Sequence, residues 1–240
     1  MPGILYAIPT PLGGAAAEVL PASALATVRS LRSFAVENAK SARAFLKEVG
    51  MPCSLQELEI STLETENSRY IKAIQSGRSI GLLTEAGCPA IADPGAQLVE
   101  AAHREGVRVV PLVGPSSIVL ALMASGLEGQ RFAFCGYLPR DPQGRKRRIR
   151  ELESRSRRER ETQVFIETPY RNDALFAALL DTCSPETLVC VASDLTLSSE
   201  DVRTKSVTRW HGARHTIGKR PTVFLLLSVD GQPGARHKLK

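Results

Sequence analysis

Apolar and polar positions along this chain fall into blocks that read alternately as strands and helices. Residues 3–8 (GILYAI) form a short apolar run closed by Pro9-Thr10-Pro11-Leu12-Gly13-Gly14. The run predicts a buried strand, and the prolines and glycines predict a fixed loop at its carboxyl end. Leu25, Val28 and Leu31 recur at helical spacing within 21–32, with Pro21 suited to a first turn. Phe34-Ala35-Val36 predicts a second strand that ends in Glu37. Residues 41–49 predict a helix stopped by Gly50, and residues 70–75 another stopped by Gly77. The third predicted strand is 80–83, followed by Glu85 and the small-residue loop Ala86-Gly87-Cys88-Pro89. Asp93 and Pro94 then read as the N-cap and first position of a helix reaching Gly106. Residues 107–112 predict a fourth strand, followed by Gly114-Pro115-Ser116-Ser117 and a nearly all-apolar helix over 118–124. Repeated strand–loop–helix order implies a mostly parallel sheet with helices on its faces.

Past a boundary at about 113–117 the pattern changes. Residues 132–137 are strand-like and lead into a strongly basic segment. Residues 164–166 predict a strand ending in Glu167-Thr168-Pro169-Tyr170-Arg171, and 174–181 a helix. Further strands are predicted at 187–192 and 222–228, and the tail GQPGARHKLK reads as disordered. The expected organisation is an α/β domain over 1–114, a second over 115–230, and a tail over 231–240.

Composition narrows the class. A length of 240 residues suits one large domain or two ordinary ones, and 43% apolar with 23% charged residues is that of a soluble globular protein. The apolar runs are too short to span a bilayer, and the N-terminus lacks the basic start of a signal peptide, so no membrane partner is expected. Five scattered cysteines without a C-x-x-C pair fit a reducing cytoplasm. The net charge is +6, and the segment from Arg140 to Arg160, with ten Lys/Arg against four Asp/Glu, carries all of it. As a flap beside a site, that segment suits a phosphate backbone. It lacks the interleaved aromatics that would stack on bases.

Several chemistries are excluded by pattern. No G-x-G occurs, so the dinucleotide fingerprint and the P-loop are both missing. His211 and His215 stand four apart without acidic or thiol partners nearby in sequence and read as surface residues, and no metal is expected. What remains is three loops, Pro9–Gly14, Glu85–Gly95 and Gly114–Ser117, each behind a predicted parallel strand. Loops at the carboxyl ends of such strands present backbone donors and helix N-termini to a polar ligand.

The segments PTPLGG, TEAGCPAIADPG, PLVGPSSI, FCGYLPRD and FIETPYRN occur in the order seen in the tetrapyrrole methylase superfamily of S-adenosylmethionine-dependent methyltransferases. The chain resembles that family over about 5–227, nearest to its branch of 16S rRNA ribose 2′-O-methyltransferases. The resemblance implies two α/β domains of the tetrapyrrole methylase type, S-adenosylmethionine in the cleft between them, and a homodimer. By the same resemblance Pro9 and Gly13 would form one wall of the cofactor site. Glu85, Ala86, Gly87, Pro89 and Asp93 would follow the methionine and ribose, with Gly114, Ser116 and Ser117 at the junction. Tyr170, Ala192, Pro221 and Thr222 would hold the adenine end.

The departures lie on the substrate side. Where the ribosomal branch has Glu-Asp-Thr-Arg this chain has Glu37-Asn38-Ala39-Lys40, and Tyr-Glu-Ser-Thr-His-Arg becomes Ile166-Glu167-Thr168-Pro169-Tyr170-Arg171. A His-x-His-Asn-Glu segment of that branch has no counterpart around 63–67. Methyl transfer to a hydroxyl needs in-line alignment and a group to take the proton. Glu37 and Glu167, each behind a strand, are the acidic candidates. Lys40 and Arg171, with Arg140, Arg145, Lys146, Arg147 and Arg148 of the basic segment, are the candidates for an RNA acceptor, with rRNA the expected partner. The competing readings are a methylase of a tetrapyrrole or other small molecule, and a catalytically degenerate paralogue that binds RNA or cofactor.

Overall fold

The computed structural model describes residues 2–63, 67–213 and 215–228. The chain divides into two compact units between Ser116 and Ser117. The tail beyond Asp230 and residues 64–66 lie outside the described residues.

The first unit runs β1 (Ile4–Ile8), α1 (Ala16–Val19), α2 (Ala22–Ser30), β2 (Ser33–Val36), α3 (Ala39–Val49), β3 (Glu59–Thr62), α4 (Ser68–Gln75), β4 (Ile80–Leu83), α5 (Ala96–Arg104) and β5 (Arg108–Pro111). Its sheet has the order β3-β2-β4-β1-β5, and every pairing is parallel. Strand alternation sends successive side chains to opposite faces. Phe34 and Val36 therefore join Val28 and Leu46 in one core, while Ala35 joins Ile74 and Leu98 in the other. Both faces being covered, β2 and β4 are buried throughout, as parallel strands usually are. Gly81 is required in β4, because a Cβ there would lie 2.6 Å from Ile8 Cδ1. Gly50 ends α3 in the left-handed conformation at φ 75°, as the sequence predicts.

One boundary differs from expectation. Asp93 does not cap α5: the helix starts at Ala96 with Gly95 as N-cap, no side chain caps it, and it ends at Arg104. Gly95 sits at φ 121°, and a Cβ there would lie 2.9 Å from Leu82. The residues before it form a turn-rich loop, and the Asp93 carboxyl is not used as a helix cap.

The second unit runs α6 (Ser117–Ser125), β6 (Phe132–Tyr137), α7 (Pro142–Glu159), β7 (Thr162–Ile166), α8 (Asn172–Thr182), β8 (Leu188–Ser193), β9 (Asp201–Ser206), α9 (Val207–His211) and β10 (Thr222–Leu227). The sheet order is β6-β7-β10-β8-β9, with only β6 and β7 parallel. Ile149 and Leu152 of α7, Leu175 and Leu179 of α8, Phe165, Phe224 and Trp210 share its core. Trp210 Nε1 donates to Val189 O at 2.9 Å, so the buried indole keeps its hydrogen bond.

The basic segment is a built-in helix rather than a flap. α7 packs on α8, β7 and β10. Buried Glu153 accepts from Ser184 N at 2.7 Å and from Thr187 Oγ1, and Ser228 N donates to Ser156 Oγ at 2.9 Å. His215, too, is not simply a surface residue. Its ring sits 5.1 Å from Trp210 and 5.8 Å from Phe176.

Candidate functional site

In the first unit the strands ending at Ile8, Val36, Leu83 and Pro111 are adjacent in the sheet, so their loops emerge side by side. The loop after β1 and the loop after β4 pair directly. Thr10 N donates to Gly87 O at 2.9 Å, and Gly87 N returns to Thr10 O at 3.0 Å. Thr10 Oγ1 donates to Thr84 O at 3.3 Å, and Cys88 Sγ to Pro115 O at 3.4 Å. The three loops picked out by sequence are thus stitched to one another. Close approach explains their glycines. Gly87 sits at φ 77° with Leu12 Cδ2 3.2 Å from where a Cβ would be, and a Cβ on Gly114 would lie 2.5 Å from Pro9 Cβ. Ala90 and Ala92 are also left-handed, at φ 66° and 65°. Alanine rarely adopts that region, and such outliers concentrate where a loop is shaped for a ligand.

Three carboxylates gather on these loops. Glu37 Oε2 accepts from Glu85 N at 3.1 Å, and Ser41 Oγ donates to Glu85 Oε1 at 3.3 Å. Asn38 caps α3, its Oδ1 accepting from Lys40 N at 2.9 Å, which leaves the Lys40 side chain exposed. Burial pushes the Asp93 carboxyl above its ordinary value, the Glu37 charge and then that of Glu85 add to this, and neighbouring Thr84 acts the other way. Burial, then the Asp93 charge, likewise pushes the Cys88 thiol up. Pro9 and Pro89 are buried, Gly13, Ser116 and Ser117 half-buried, and Ala86 exposed.

In the second unit one end of the sheet collects the other candidates. The registers Tyr137↔Ile166, Val223↔Ile166, Thr222↔Ser193 and Ser193↔Asp201 put the ends of β6, β7 and β8 beside the starts of β10 and β9. Glu167, Tyr170, Arg171, Ala192, Pro221 and Thr222 all lie at this end. Glu167 has no exposed side-chain surface. Its Oε1 accepts from Thr168 N at 2.6 Å, from Arg171 Nε at 3.0 Å and from a terminal nitrogen of Arg171, while Oε2 is buried without a partner. Tyr170 is 80% exposed, with Lys219 Nζ 5.2 Å from its ring centre.

Thr222 apart, sequence reasoning missed the residues that hold this end together. Asn172, fully buried, donates through Nδ2 to Gly218 O at 3.1 Å and Arg220 O at 2.7 Å. Asp173 accepts from Ile217 N at 2.8 Å, and Ser193 and Thr222 share a hydroxyl contact at 2.9 Å. Asp194 pairs with Arg220 at 2.7 Å. The Asn-Asp pair ahead of an apolar helix was the available signal, since these residue types favour helix starts.

The basic candidates separate by helix face. Arg140, Lys146 and Arg147 are exposed, and half-buried Arg148 pairs with Glu151 at 3.1 Å. Arg145 turns inward and is buried. Among the described residues no group of side chains suits a metal ion, and no helix is long and apolar enough to cross a membrane.

Comparison with known proteins agrees with this arrangement of loops and sheets. Over 209 residues the chain is 30% identical to the ribosomal RNA small subunit methyltransferase I of Pseudomonas aeruginosa, covering 87% of this chain and 72% of that protein. It is 33% identical over 200 residues to the enzyme of the same name from Vibrio cholerae, with 83% and 67% covered. The fold superposes on a crystal structure of diphthine synthase with a TM-score of 0.64, at 18% identity and covering 94% and 89% of the two chains. Residues 6–209 match the family model of tetrapyrrole (corrin/porphyrin) methylases, and the chain belongs to that family of methyltransferases.

Proposed function

We propose that this methyltransferase uses S-adenosylmethionine to methylate RNA, namely small-subunit rRNA at a ribose 2′-hydroxyl. The observation that carries the reading is the relatives' identity of 30–33% over most of the chain, all bearing a ribosomal RNA methyltransferase name. The outward basic face of α7 supports it, because a polyanion is the partner such a face suits.

The first unit's loops fit the methyl donor by charge. S-adenosylmethionine carries a sulfonium and an ammonium group, and the Asp93 carboxyl, raised first by burial and then by the charges of Glu37 and Glu85, lies where a cation is favoured. A bound cation offsets those charges. Gly87, Ala86, Pro89 and Asp93 would lie along the methionine and ribose, with Pro9, Gly13, Gly114, Ser116 and Ser117 supporting them. Tyr170, Ala192, Pro221 and Thr222 would serve the adenine. When bound, the cofactor supplies an electrophilic methyl carbon.

The chain's own residues then position the acceptor and move its proton. Glu37 is half-buried at a strand end with one carboxylate oxygen engaged by Glu85 N, and we assign it the acceptor proton. Glu167 is closed off from solvent and bonded to Arg171, so we assign it the orientation of Arg171 rather than proton transfer. Arg171 and Lys40 would then hold acceptor phosphate. We take the protein to act as a homodimer in a reducing cytoplasm, in keeping with five free thiols; sedimentation equilibrium tests the former.

Incubation with methyl-labelled S-adenosylmethionine and deproteinised RNA from a strain lacking this protein tests the reading. Label in the small-subunit rRNA is expected. Label confined to small molecules instead favours a tetrapyrrole-type acceptor and defeats the RNA reading.

A further inference from the structure

Arg145 is a largely buried cation that has no counter-charge among the described residues. It is 9% exposed and its Nε is sealed from solvent without a partner, while its two terminal nitrogens, which pair with no side chain among the described residues, are not sealed. The acidic side chains borne by α7 and flanking β7 have other partners. Asp141 accepts from Gly144 N at 2.6 Å, Glu151 pairs with Arg148, and Glu153 holds Ser184 and Thr187. Glu161 pairs with Arg155, and Glu167 with Arg171. A guanidinium has five donors and cannot shed its charge, so holding it largely buried, with Nε sealed and no counter-charge beside it, costs stability. Retaining one in the body of a helix calls for a ligand that supplies the missing negative charge.

Its position indicates which ligand. Arg145 lies in the opening turns of α7, and helical side chains lean toward the helix N-terminus. That terminus follows β6, at the same end of the sheet as Glu167, Arg171 and Thr222. Lys146, Arg147 and Arg150 carry the positive charge outward along the exposed face of the same helix. A guanidinium fork matches two oxygens of a phosphate at once.

We infer that Arg145 is the buried anchor for one backbone phosphate of the RNA acceptor, and that the exposed cations of α7 hold the neighbouring phosphates. The inference rests on the RNA methyltransferase reading and names the part of the acceptor that the second unit grips. It also separates Arg145 from its basic neighbours, which sequence places in one group.

The test pairs binding with stability. Full-length wild type, Arg145→Met and Arg145→Lys are titrated with deproteinised small-subunit rRNA and, separately, with S-adenosylmethionine, and each is melted without ligand. Arg145→Met is expected to melt higher than wild type, because it removes an unpaired buried charge, and to bind RNA roughly 10- to 100-fold more weakly, with cofactor affinity unchanged. Arg145→Lys keeps the charge but not the fork, and is expected to bind RNA more weakly at an unchanged melting temperature. A lower melting temperature for Arg145→Met with full RNA affinity makes Arg145 structural and overturns the anchor. So does full RNA affinity in Arg145→Lys, or a loss confined to the cofactor. Wild type that binds no RNA defeats the RNA reading and the anchor together, whereas wild type that binds while both variants match it defeats the anchor alone.

Discussion

Asp93 shows how one side chain ties the loop after β4 to the stability of the fold. Its carboxyl is raised above its ordinary value by burial and by Glu37, so the native state holds that proton more tightly than the unfolded chain. Stability contributed by the protonated form is therefore lost as pH rises from about the ordinary carboxylate value through the raised one. Asp93→Asn cannot titrate. Its thermal stability should exceed that of the wild type near neutrality, and the gap should narrow as pH falls toward the acid end of that window. Melting both proteins without ligand from pH 7 down to the acid range checks this, and parallel curves would mean that Asp93 carries no desolvation or repulsion penalty. Gly87 makes the complementary case in the backbone. At φ 77° and close to Leu12, a β-branched residue is strained, so Gly87→Val should distort the Thr10–Gly87 bridge. Weakened S-adenosylmethionine binding by calorimetry is the expected result, and wild-type affinity in a folded sample would remove that loop from the cofactor site.

At the scale of elements, the central strands and the helix stops are legible in the sequence because their physics is local. Phe34–Val36 and Ile80–Leu83 are continuous apolar runs, and Gly50 and Gly77 adopt the positive φ that ends a helix. β3 and β9 escape a sequence reading because each is an edge strand of mixed polarity, EIST and DVRTKS, whose identity comes from its partner rather than its pattern. The start of α5 is misplaced by sequence for a related reason. Asp-Pro is a good helix opening by composition, but Gly95 against Leu82 sets the true start two residues later. The loops behind strands that form the candidate site are legible, yet Asn172, Asp173 and Ser193 act across 29–48 residues of separation that no local pattern records. α7 is visible only as charge, because its inward face is short and mixes Ile149 and Leu152 with Glu153 and Ser156. Its anchoring nevertheless makes a sharp prediction. Glu153→Ala removes the acceptor for Ser184 N and Thr187 Oγ1 in a buried setting, and should cost about 2–3 kcal/mol. Urea unfolding measures this, and an unchanged midpoint would mean that α7 is held by apolar packing alone.

For the whole molecule, charge distribution rather than net charge bears on the partner. The chain's +6 resides in one segment, and that segment is a helix with one face in the core. Helical geometry turns Lys146, Arg147 and Arg150 outward together, while Arg148, Arg155 and Arg158 have part of their charge neutralised by Glu151, Glu161 and Glu159. A uniform cloud of charge would make RNA affinity depend on the total alone. An ordered stripe makes it depend on which cations are removed. Replacing Lys146, Arg147 and Arg150 with Gln should flatten the plot of log affinity against log salt by about 0.7–0.9 for each phosphate no longer neutralised. Replacing the paired Arg148, Arg155 and Arg158 should change the slope by much less, although the net charge falls equally. Cofactor binding should be untouched in both triple variants, because none of the six residues is among those proposed to hold the cofactor. Equal slope changes in the two variants would show that RNA is drawn by net charge, and the outward face of α7 would then be ordinary surface.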